Sequence, residues 1–289
     1  MNEILYGDAR QVLPSLTERG VRVQTCVTSP PYFGLRDYGT PGELGQESSP
    51  EEYTENLVTV FREVRRLLSD DGTLWVNLGD SYNAAGRKGH GTRVGFKQGS
   101  NRASRAGADH PRPTAPDLKP KDLIGVPWMV AFALRADGWY LRQDIVWAKP
   151  NPMPEPVRDR CTKSHEYVFL FSKQERYFFD MDSIAEEVDS GTRHRRDVWT
   201  ITPRPYDGAH FAVFPPELVR TCVLAGTRPN DVVLDPFLGS GTTAMVSRQL
   251  GRRYLGIEIN STFEDMQRAR IAQENPREPA RFRQLGLLD

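Results

Sequence analysis

The sequence predicts an α/β protein in which helices cover a layered sheet. Two observations carry this prediction. Short apolar runs of strand length alternate with longer segments of helical periodicity, and two of the apolar runs end in turns rich in proline or glycine. A chain of 289 residues can build one large α/β domain or two small ones.

The predicted elements follow from local patterns. Residues 50–68 read as a helix because Leu57, Val60, Phe61 and Val64 share one face, and Asp71-Gly72 is expected to end it. Further helices are predicted at 122–136, 215–225, 242–249 and 261–273. Roughly seven strands are predicted, at 3–6, 21–27, 73–78, 141–147, 167–171 and 177–179 and before Asp235, with a further short run at 253–257. Residues 172–176 would join 167–171 and 177–179 into an antiparallel hairpin.

The first turn, residues 28–33, has the sequence Thr-Ser-Pro-Pro-Tyr-Phe and directly follows the buried strand 21–27. Consecutive prolines impose an extended, rigid backbone that offers carbonyl oxygens but no N–H donors. With a serine hydroxyl and two aromatic rings, such a turn suits a planar ring that bears an amino group. The alternative is a strand-ending turn with an aromatic side chain in the core.

The second turn lies in residues 232–243, Val-Val-Leu-Asp-Pro-Phe-Leu-Gly-Ser-Gly-Thr-Thr. An apolar strand ends in Asp235, glycines follow, and a helix begins near Thr242. Glycines allow close backbone approach to a ligand, and a helix start offers free N–H groups. Glu258 ends the next strand, where a carboxylate can accept both hydroxyls of a ribose. The glycines satisfy the loose dinucleotide pattern, but no Lys follows them as in a Walker loop.

Together the two turns resemble the DNA amino-methyltransferases, which transfer a methyl group from S-adenosyl-L-methionine (AdoMet) to an exocyclic base nitrogen. Ser29-Pro30-Pro31-Tyr32 resembles the catalytic motif of that family, and Asp235-Pro236-Phe237-x-Gly239-x-Gly241-Thr242 resembles its cofactor motif. The catalytic motif comes first, as in the beta class. Further fragments in the expected order are Gly7-Asp8-Ala9, Trp147-x-Lys149, His165-Glu166, Trp199-x-Ile201 and His210-Phe211.

The resemblance implies a Rossmann-like AdoMet-dependent methyltransferase sheet that is circularly permuted and mostly parallel, with an antiparallel hairpin. A single catalytic domain would span 1–289, with its sheet assembled from both ends of the chain. The residues expected to bind AdoMet are Asp8, His210, Phe211, Asp235, Pro236, Phe237, Gly239, Gly241, Thr242 and Glu258. Among them, Asp8 is expected near the adenine and Glu258 at the ribose.

The catalytic residues implied are Ser29, Pro30, Pro31 and Tyr32. An exocyclic amine is a poor nucleophile because its lone pair is delocalised into the ring. The Ser29 hydroxyl and the Pro30 carbonyl can accept its two N–H groups and expose the lone pair for direct displacement on the sulfonium methyl. Tyr32 would stack on a base flipped out of the duplex, and Phe33 is a lesser stacking candidate.

The target amine is expected to be cytosine N4, because serine at position 29 resembles the cytosine-N4 enzymes; adenine N6 is the alternative. Methylation of cytosine carbon 5 is disfavoured, because that reaction usually uses a Pro-Cys pair, and Thr25, Arg160 and Thr221 precede the three cysteines. Two other functions stay open at this point. A nicotinamide oxidoreductase would leave the Ser-Pro-Pro-Tyr turn unexplained, and a non-catalytic DNA-binding module would not need both motifs intact.

Double-stranded DNA is the expected partner, although the formal net charge is zero. Basic residues cluster in two segments that lack a core pattern, 84–118 and 181–206, which are predicted as inserted DNA-contacting loops. The residues predicted to contact DNA are Arg87, Lys88, Arg93, Lys97, Arg102, Arg105, Arg193, Arg195 and Arg196. Arg158, Arg160 and Lys163 form a third basic cluster.

Composition limits the remaining possibilities. Without an apolar run of 18 residues, no membrane span is expected. Cys26, Cys161 and Cys222 are odd in number and widely spaced, which indicates a reducing compartment and no disulfide framework. His165 and His210 lack the spacing of a metal site, so no metal is expected. We expect a protein of the prokaryotic cytoplasm, or of a phage-infected host, that acts in restriction-modification or as an orphan enzyme; a homodimer is possible.

Overall fold

The computed structural model describes residues 1–35, 39–83, 115, 117–155, 157–189, 191–203 and 214–273. Within them the strands are β1 (Asn2–Tyr6), β2 (Val23–Thr28), β3 (Leu68–Leu78), β4 (Tyr140–Ala148), β5 (His165–Ser172), β6 (Glu186–Val188), β7 (Gly191–Arg193), β8 (Val198–Thr200), β9 (Val232–Asp235) and β10 (Arg253–Glu258). The helices are α1 (Ala9–Glu18), α2 (Pro50–Leu67), α3 (Val126–Ala136), α4 (Pro216–Gly226), α5 (Thr242–Gln249) and α6 (Glu264–Ile271).

Eight of these strands form one mixed sheet in the order β1-β10-β9-β2-β3-β5-β4-β8. The strands from β1 through β3 are parallel, β5 runs antiparallel to both β3 and β4, and β8 is parallel to β4. The predicted α/β class and mostly parallel sheet are therefore confirmed. The first strand pairs with β10, which confirms that the sheet is assembled from both ends of the chain.

Helices cover both faces of the sheet. On one face the buried stripes of α1, α2 and α3 form an apolar cluster with the aromatic side chains of β5. On the other face α4 and α5 pack against Trp75, Trp147 and Trp199. Cys26 and Cys222 are buried in these two clusters, as predicted.

The predicted helix 50–68 is confirmed to within one residue, but its predicted terminating turn and the predicted start of the next helix were wrong for reasons of tertiary contact. Helix α2 ends at Leu67, and Asp71-Gly72 lies inside β3. This is because Leu68 pairs with Val23 of β2 and the side-chain amide of Gln24 (Nε2) donates to Asp71 Oδ1 (3.1 Å). Helix α3 begins at Val126, four residues later than predicted, where the Asp80 carboxylate accepts the amide N–H groups of Gly125 and Val126. Remote side chains therefore set both ends.

The predicted hairpin was also wrong. Residues 177–179 are not a strand: the Phe178 amide donates to the Asp71 carbonyl, and the Phe179 ring stacks on Trp75 with centroids 6.0 Å apart. The antiparallel partners of β5 are β3 and β4. Aromatic packing over the β3 face thus takes these residues away from the sheet edge.

The described part of the predicted loop 181–206 contains regular structure. A 3-10 turn, Asp182–Ile184, precedes the β6–β7 hairpin, and β8 joins the main sheet beside β4. Ile184 and Trp199 are buried, which anchors the segment to the second apolar cluster. The segment 261–273, predicted as one helix, is a 3-10 turn, Ser261–Phe263, followed by α6.

Candidate active site at the carboxyl ends of the parallel strands

The two sequence turns meet at one edge of the sheet, because β2 and β9 are adjacent parallel strands. Thr28 ends β2 and Asp235 ends β9, and the Thr28 hydroxyl donates to Asp235 Oδ1 over 2.6 Å. Glu258 ends the next strand, β10, and its carbonyl accepts the Gly7 amide (2.8 Å) just beyond β1. The carboxyl ends of four strands therefore converge on one place.

Asp235 is the residue that links the two turns. Besides Thr28, its carboxylate accepts the Thr243 hydroxyl (2.7 Å) and the Phe237 amide (3.0 Å), and it is only 1% exposed. Burial raises the pKa of Asp235 to about 6, although these three hydrogen bonds favour the ionised form. Both carboxylate oxygens are thus engaged within the protein, so Asp235 holds the catalytic turn against the glycine loop.

The glycine loop is shaped by left-handed backbone and by Glu258. Gly241 immediately precedes α5 and has a φ of +85°, a backbone angle that residues with L side chains rarely adopt. Glu258 accepts the amides of Gly239 (2.8 Å) and Asn260 (2.9 Å). Burial raises the pKa of Glu258, while these amide donors oppose the shift. Its carboxylate therefore lies directly beside the loop, as the prediction of a ribose ligand requires.

The other predicted cofactor residues surround this loop. Pro236 and Thr242 are buried, and Phe237 is partly buried with its ring edge-on to Phe61 at 6.5 Å. Asp8 caps α1 and pairs with Arg10 (2.6 Å). Burial disfavours its ionised form, but the hydrogen bonds and charge of Arg10 outweigh this and lower its pKa. The predicted His210 and Phe211 lie outside the described residues.

The catalytic turn is supported by aromatic and polar contacts with α2. The Pro31 carbonyl accepts the Tyr53 hydroxyl (2.7 Å), and Phe33 is buried against the Tyr53 ring with centroids 5.8 Å apart. Phe33 is therefore part of the core. Pro30 is buried, whereas Ser29 and Tyr32 are partly exposed.

Ser29 and Tyr32 are joined to two residues that motif analysis did not single out for the site. The Tyr32 hydroxyl lies 2.8 Å from Glu166 Oε2 and 3.1 Å from Asn77 Oδ1. Ser29 Oγ lies 3.4 Å from the Tyr32 hydroxyl and 3.5 Å from Asn77 Oδ1. Glu166 is also paired with Lys149. The catalytic edge therefore carries a connected polar network.

A family model described as a DNA methylase, N6_N4_Mtase, matches residues 23–269. The chain belongs to this DNA methylase family. The methylase is 52% identical to Type II methyltransferase M.Cfr9I of Citrobacter freundii over 274 residues, which cover 94% of this chain and 88% of the relative. It is 51% identical to Type II methyltransferase M.SmaI of Serratia marcescens over 273 residues, with 93% and 90% coverage. The predicted family is confirmed.

Solved structures agree with this fold. PvuII DNA methyltransferase (cytosine-N4-specific) superimposes with a TM-score of 0.67 at 19% identity, covering 98% of the methylase and 90% of that chain. A putative DNA modification methylase of Thermus thermophilus, complexed with S-adenosyl-L-methionine, gives a TM-score of 0.65 at 26% identity with 96% and 95% coverage. The family uses AdoMet, so the predicted cofactor is confirmed.

The methylase presents only part of its predicted DNA-contacting set in the described residues. Arg87, Lys88, Arg93, Lys97, Arg102 and Arg105 lie outside them. On the β6–β7 hairpin, Arg193 pairs with Glu186 (2.9 Å), and Arg195 lies 5.2 Å from the centroid of the Trp199 ring. Arg196 is exposed, and its carbonyl accepts the Trp199 indole N–H (2.9 Å). DNA contact by these arginines stays a prediction.

Two further fragments of the resemblance have structural roles in the methylase. Trp147 is buried and its indole donates to the Ile201 carbonyl (2.8 Å), while Lys149 lies over its ring, 4.3 Å from the centroid. His165 packs edge-on against Tyr167.

Among the residues with described positions, no group of three or more His, Cys, Asp or Glu side chains could hold a metal ion. No described helix is long and apolar enough to span a membrane.

The glycine loop of the methylase is braced by residues that the sequence did not reveal. Gln267 of α6 is fully buried and donates to the Gly239 carbonyl (2.6 Å), and it accepts the Tyr6 hydroxyl (2.8 Å). The Arg270 guanidinium donates to the Ser240 hydroxyl. Their polar neighbours in α6 gave no sequence signal for this role; the structure reveals it, because glutamine and arginine side chains are rarely buried without a partner.

Proposed function

We propose that this chain methylates the exocyclic N4 of cytosine in duplex DNA, with AdoMet as methyl donor; adenine N6 is the alternative. The observation that carries the proposal is the Thr28–Asp235 hydrogen bond, which places the Ser29 turn beside the glycine loop. Methyl transfer requires a nucleophile and a donor to lie side by side. This arrangement supports methyl transfer over a nicotinamide oxidoreductase or a non-catalytic DNA-binding module.

The pocket residues fit an AdoMet molecule. Glu258 offers a buried carboxylate at the end of β10, and the left-handed Gly241 leaves the loop without a side chain at the start of α5. Glu258 would accept the ribose hydroxyls, and Asp8 would lie toward the adenine. When bound, AdoMet supplies an electrophilic sulfonium methyl group.

The catalytic turn would supply acceptors for the target amine. The Ser29 hydroxyl and the Pro30 carbonyl would accept its two N–H groups, draw the nitrogen toward tetrahedral geometry and expose its lone pair. Tyr32 would stack on the base. Because the amine is paired inside a duplex, the nucleotide must be flipped out before it can reach Ser29. Positioning and electrostatic stabilisation would then supply most of the rate.

Serine at position 29 supports cytosine as the target. In enzymes that resemble this chain, a serine at this position accompanies cytosine-N4 methylation, whereas an aspartate is commoner with adenine N6. Because the type II relatives act in restriction-modification, we place this enzyme in such a system, or as an orphan or phage counterpart, in the prokaryotic cytoplasm.

DNA from a host that expresses the protein tests this proposal. Hydrolysis and mass spectrometry should detect N4-methylcytosine with the wild-type protein and a much smaller amount with Ser29→Ala, because losing one aligned polar group slows the reaction on the order of 10²-fold. N6-methyladenine in place of N4-methylcytosine would overturn the base assignment alone. The proposed function would be overturned if neither modified base were found although the expressed protein binds AdoMet and the DNA offers a broad set of sequences.

A further inference from the structure

A partly buried ion pair supports the catalytic turn from the antiparallel side of the sheet. Glu166 on β5 is paired with Lys149 just beyond β4, and their side chains are only 16% and 19% exposed. Lys149 also lies over the Trp147 ring, 4.3 Å from its centroid. Glu166 Oε2 faces the Tyr32 hydroxyl at 2.8 Å and Asn77 Nδ2 at 3.2 Å. An ionised carboxylate only accepts hydrogen bonds, so every neighbour must donate to it.

The orientation of the Asn77 amide follows from its second contact. Asn77 Nδ2 lies 3.1 Å from the Tyr167 carbonyl, which can only accept. Both partners of this nitrogen are therefore pure acceptors, and the amide oxygen must point the other way. There it lies 3.5 Å from Ser29 Oγ and 3.1 Å from the Tyr32 hydroxyl.

The single hydroxyl proton of Tyr32 decides which group uses the Asn77 oxygen. Glu166 is the nearer acceptor and is charged, and hydrogen bonds to charged acceptors are about twice as strong as neutral ones. Burial and the charge of Glu166 raise the pKa of Tyr32 well above its usual value, so the hydroxyl stays protonated. With the Tyr32 proton directed at Glu166, the Tyr32 oxygen (3.4 Å) and the Asn77 oxygen (3.5 Å) are both left to accept the proton of Ser29.

We propose that Glu166, held by Lys149, is a positioning residue that fixes the direction of these hydrogen bonds and makes Ser29 an acceptor. A serine that donates to the Asn77 or the Tyr32 oxygen turns its lone pairs toward the incoming amine. A serine whose proton pointed at the amine would instead repel an N–H group. The inference rests on the proposed function, because it assumes that Ser29 accepts an N–H of the target amine.

Glu166→Gln tests this role with an almost unchanged side-chain shape. The Gln oxygen would face Lys149, and its NH₂ group would face Tyr32 and Asn77 as a donor. Tyr32 would then direct its proton at Asn77 and compete with Ser29. Single-turnover methyl transfer at saturating DNA and AdoMet should slow on the order of 10²-fold, as for other misdirected polar groups. AdoMet affinity, measured by calorimetry, should be unchanged, because Glu258 and the glycine loop are untouched.

A double-mutant cycle separates this role from simple structural support. Once Ser29→Ala has removed the hydroxyl, Glu166→Gln should cause little further loss of rate. Asn77→Ala removes one of the two acceptors of the Ser29 proton and should show the same dependence on Ser29, which provides a second test if Glu166→Gln does not fold. Asp137→Asn breaks an ion pair with Arg62 at the opposite sheet edge and is the matched control, with an expected wild-type rate.

The outcomes distinguish the two proposals. A wild-type rate for Ser29→Ala would overturn the role of that serine in the proposed function. If Ser29→Ala is slow, either of two results would overturn the positioning role alone. One is a wild-type rate for Glu166→Gln. The other is a double variant whose fold loss in methyl-transfer rate equals the product of the two single-variant losses.

Discussion

At the scale of single residues, Asp235 shows how one buried carboxylate joins two motifs. It accepts hydrogen bonds from Thr28 at the end of β2 and from Thr243 in α5, so the catalytic and cofactor turns share one hydrogen-bonded centre. The sequence predicted Asp235 as a cofactor ligand. The structure assigns its oxygens to the protein, which makes the residue a link between turns; contact with AdoMet stays a prediction.

Asp235 also predicts a pH dependence of stability. Its pKa is raised from 3.8 to about 6, so the folded protein retains a proton that the unfolded chain releases between these values. Its contribution to stability is therefore full below pH 3.8 and declines as the pH rises through about 6. This difference in pKa between the unfolded and folded states corresponds to about 3 kcal/mol of unfolding free energy.

The variant Asp235→Asn isolates this effect. Its oxygen can accept from Thr28, and its NH₂ group can donate to Thr243, whose proton can turn to the Val27 carbonyl 3.3 Å away. Denaturant unfolding at several pH values should show the wild type losing about 3 kcal/mol relative to Asp235→Asn between about pH 4 and 7. A constant difference between the two proteins would contradict the assigned pKa.

Gly79 carries a second residue-scale prediction. A Cβ atom at this position would lie 2.6 Å from Cε2 of the Tyr32 ring, which is closer than real Cβ contacts. Gly79→Ala should displace Tyr32 and slow single-turnover methyl transfer on the order of 10²-fold, because small misplacements in an active site are costly.

The control for Gly79→Ala is Gly138→Ala, a substitution that strains the backbone without touching the site. Gly138 has φ +100°, and a Cβ atom there would meet nothing within 4 Å. This variant should lose thermal stability but keep a wild-type single-turnover rate, which separates a general loss of stability from displacement of Tyr32. Equal rates for wild type and Gly79→Ala would show that Tyr32 can shift without loss.

At the scale of elements, α6 braces the glycine loop. Gln267 bridges the Gly239 carbonyl and the Tyr6 hydroxyl, so α6, β1 and the loop are connected by one side chain. Because Gly239 also donates to Glu258, the loop backbone is fixed through both its carbonyl and its amide.

Gln267→Ala should therefore weaken AdoMet binding. Removing the side chain leaves a partly buried carbonyl and a partly buried hydroxyl without this partner; the loss costs about 1–3 kcal/mol for fully buried groups, and a smaller cost is expected here. Part of that cost should be measured as a higher Kd for AdoMet in calorimetry and part as lower thermal stability. Gln273→Ala, at an exposed position just after α6, is the control. Unaltered AdoMet affinity in Gln267→Ala would limit the role of α6 to stability.

The elements also show what the sequence could and could not reveal. The strands β2 and β9 and the helix α5 were predicted well, because apolar runs and glycine turns are local signals. The network of Asn77, Glu166 and Lys149 could not be predicted. It depends on the antiparallel pairing of β5 with β3 and β4, and no local pattern encodes that pairing. The prediction of a strand at 177–179 was wrong for the same reason, since packing of Phe179 on Trp75 places these residues outside the sheet.

At the scale of the whole molecule, the two sheet edges differ in character. The carboxyl edge carries the candidate active site. At the amino edge, a separate basic cleft is lined by Thr17, Arg22, Arg62, Arg65, Arg66, Asp137 and Lys173. Arg22 precedes β2, whose other end carries Thr28, so DNA bound at Ser29 is expected to lie away from this cleft.

The two basic regions predict different salt dependences. If Arg87, Lys88, Arg93, Lys97, Arg102 and Arg105 contact phosphates, neutralising two of them should reduce the log–log salt slope of DNA binding by about 1 to 2 units. Neutralising Arg22 and Arg66 should leave the slope unchanged. Both double variants should bind AdoMet with wild-type affinity. Titration of labelled duplex at several salt concentrations measures the slopes. Identical slopes for the two double variants would remove the predicted loop from the DNA interface.

The pairing of sequence-distant strands has a consequence for protein synthesis. Thr28 and its partner Asp235 are separated by 207 positions. At typical translation rates of about 5–20 residues per second, the ribosome needs roughly 10 to 40 s to make that interval. During this time the backbone N–H and C=O groups of β2 that later pair with β9 are unpaired in the nascent chain, a state that favours aggregation. Newly made enzyme can therefore start to modify DNA only after the chain through β9 has emerged and paired with β2.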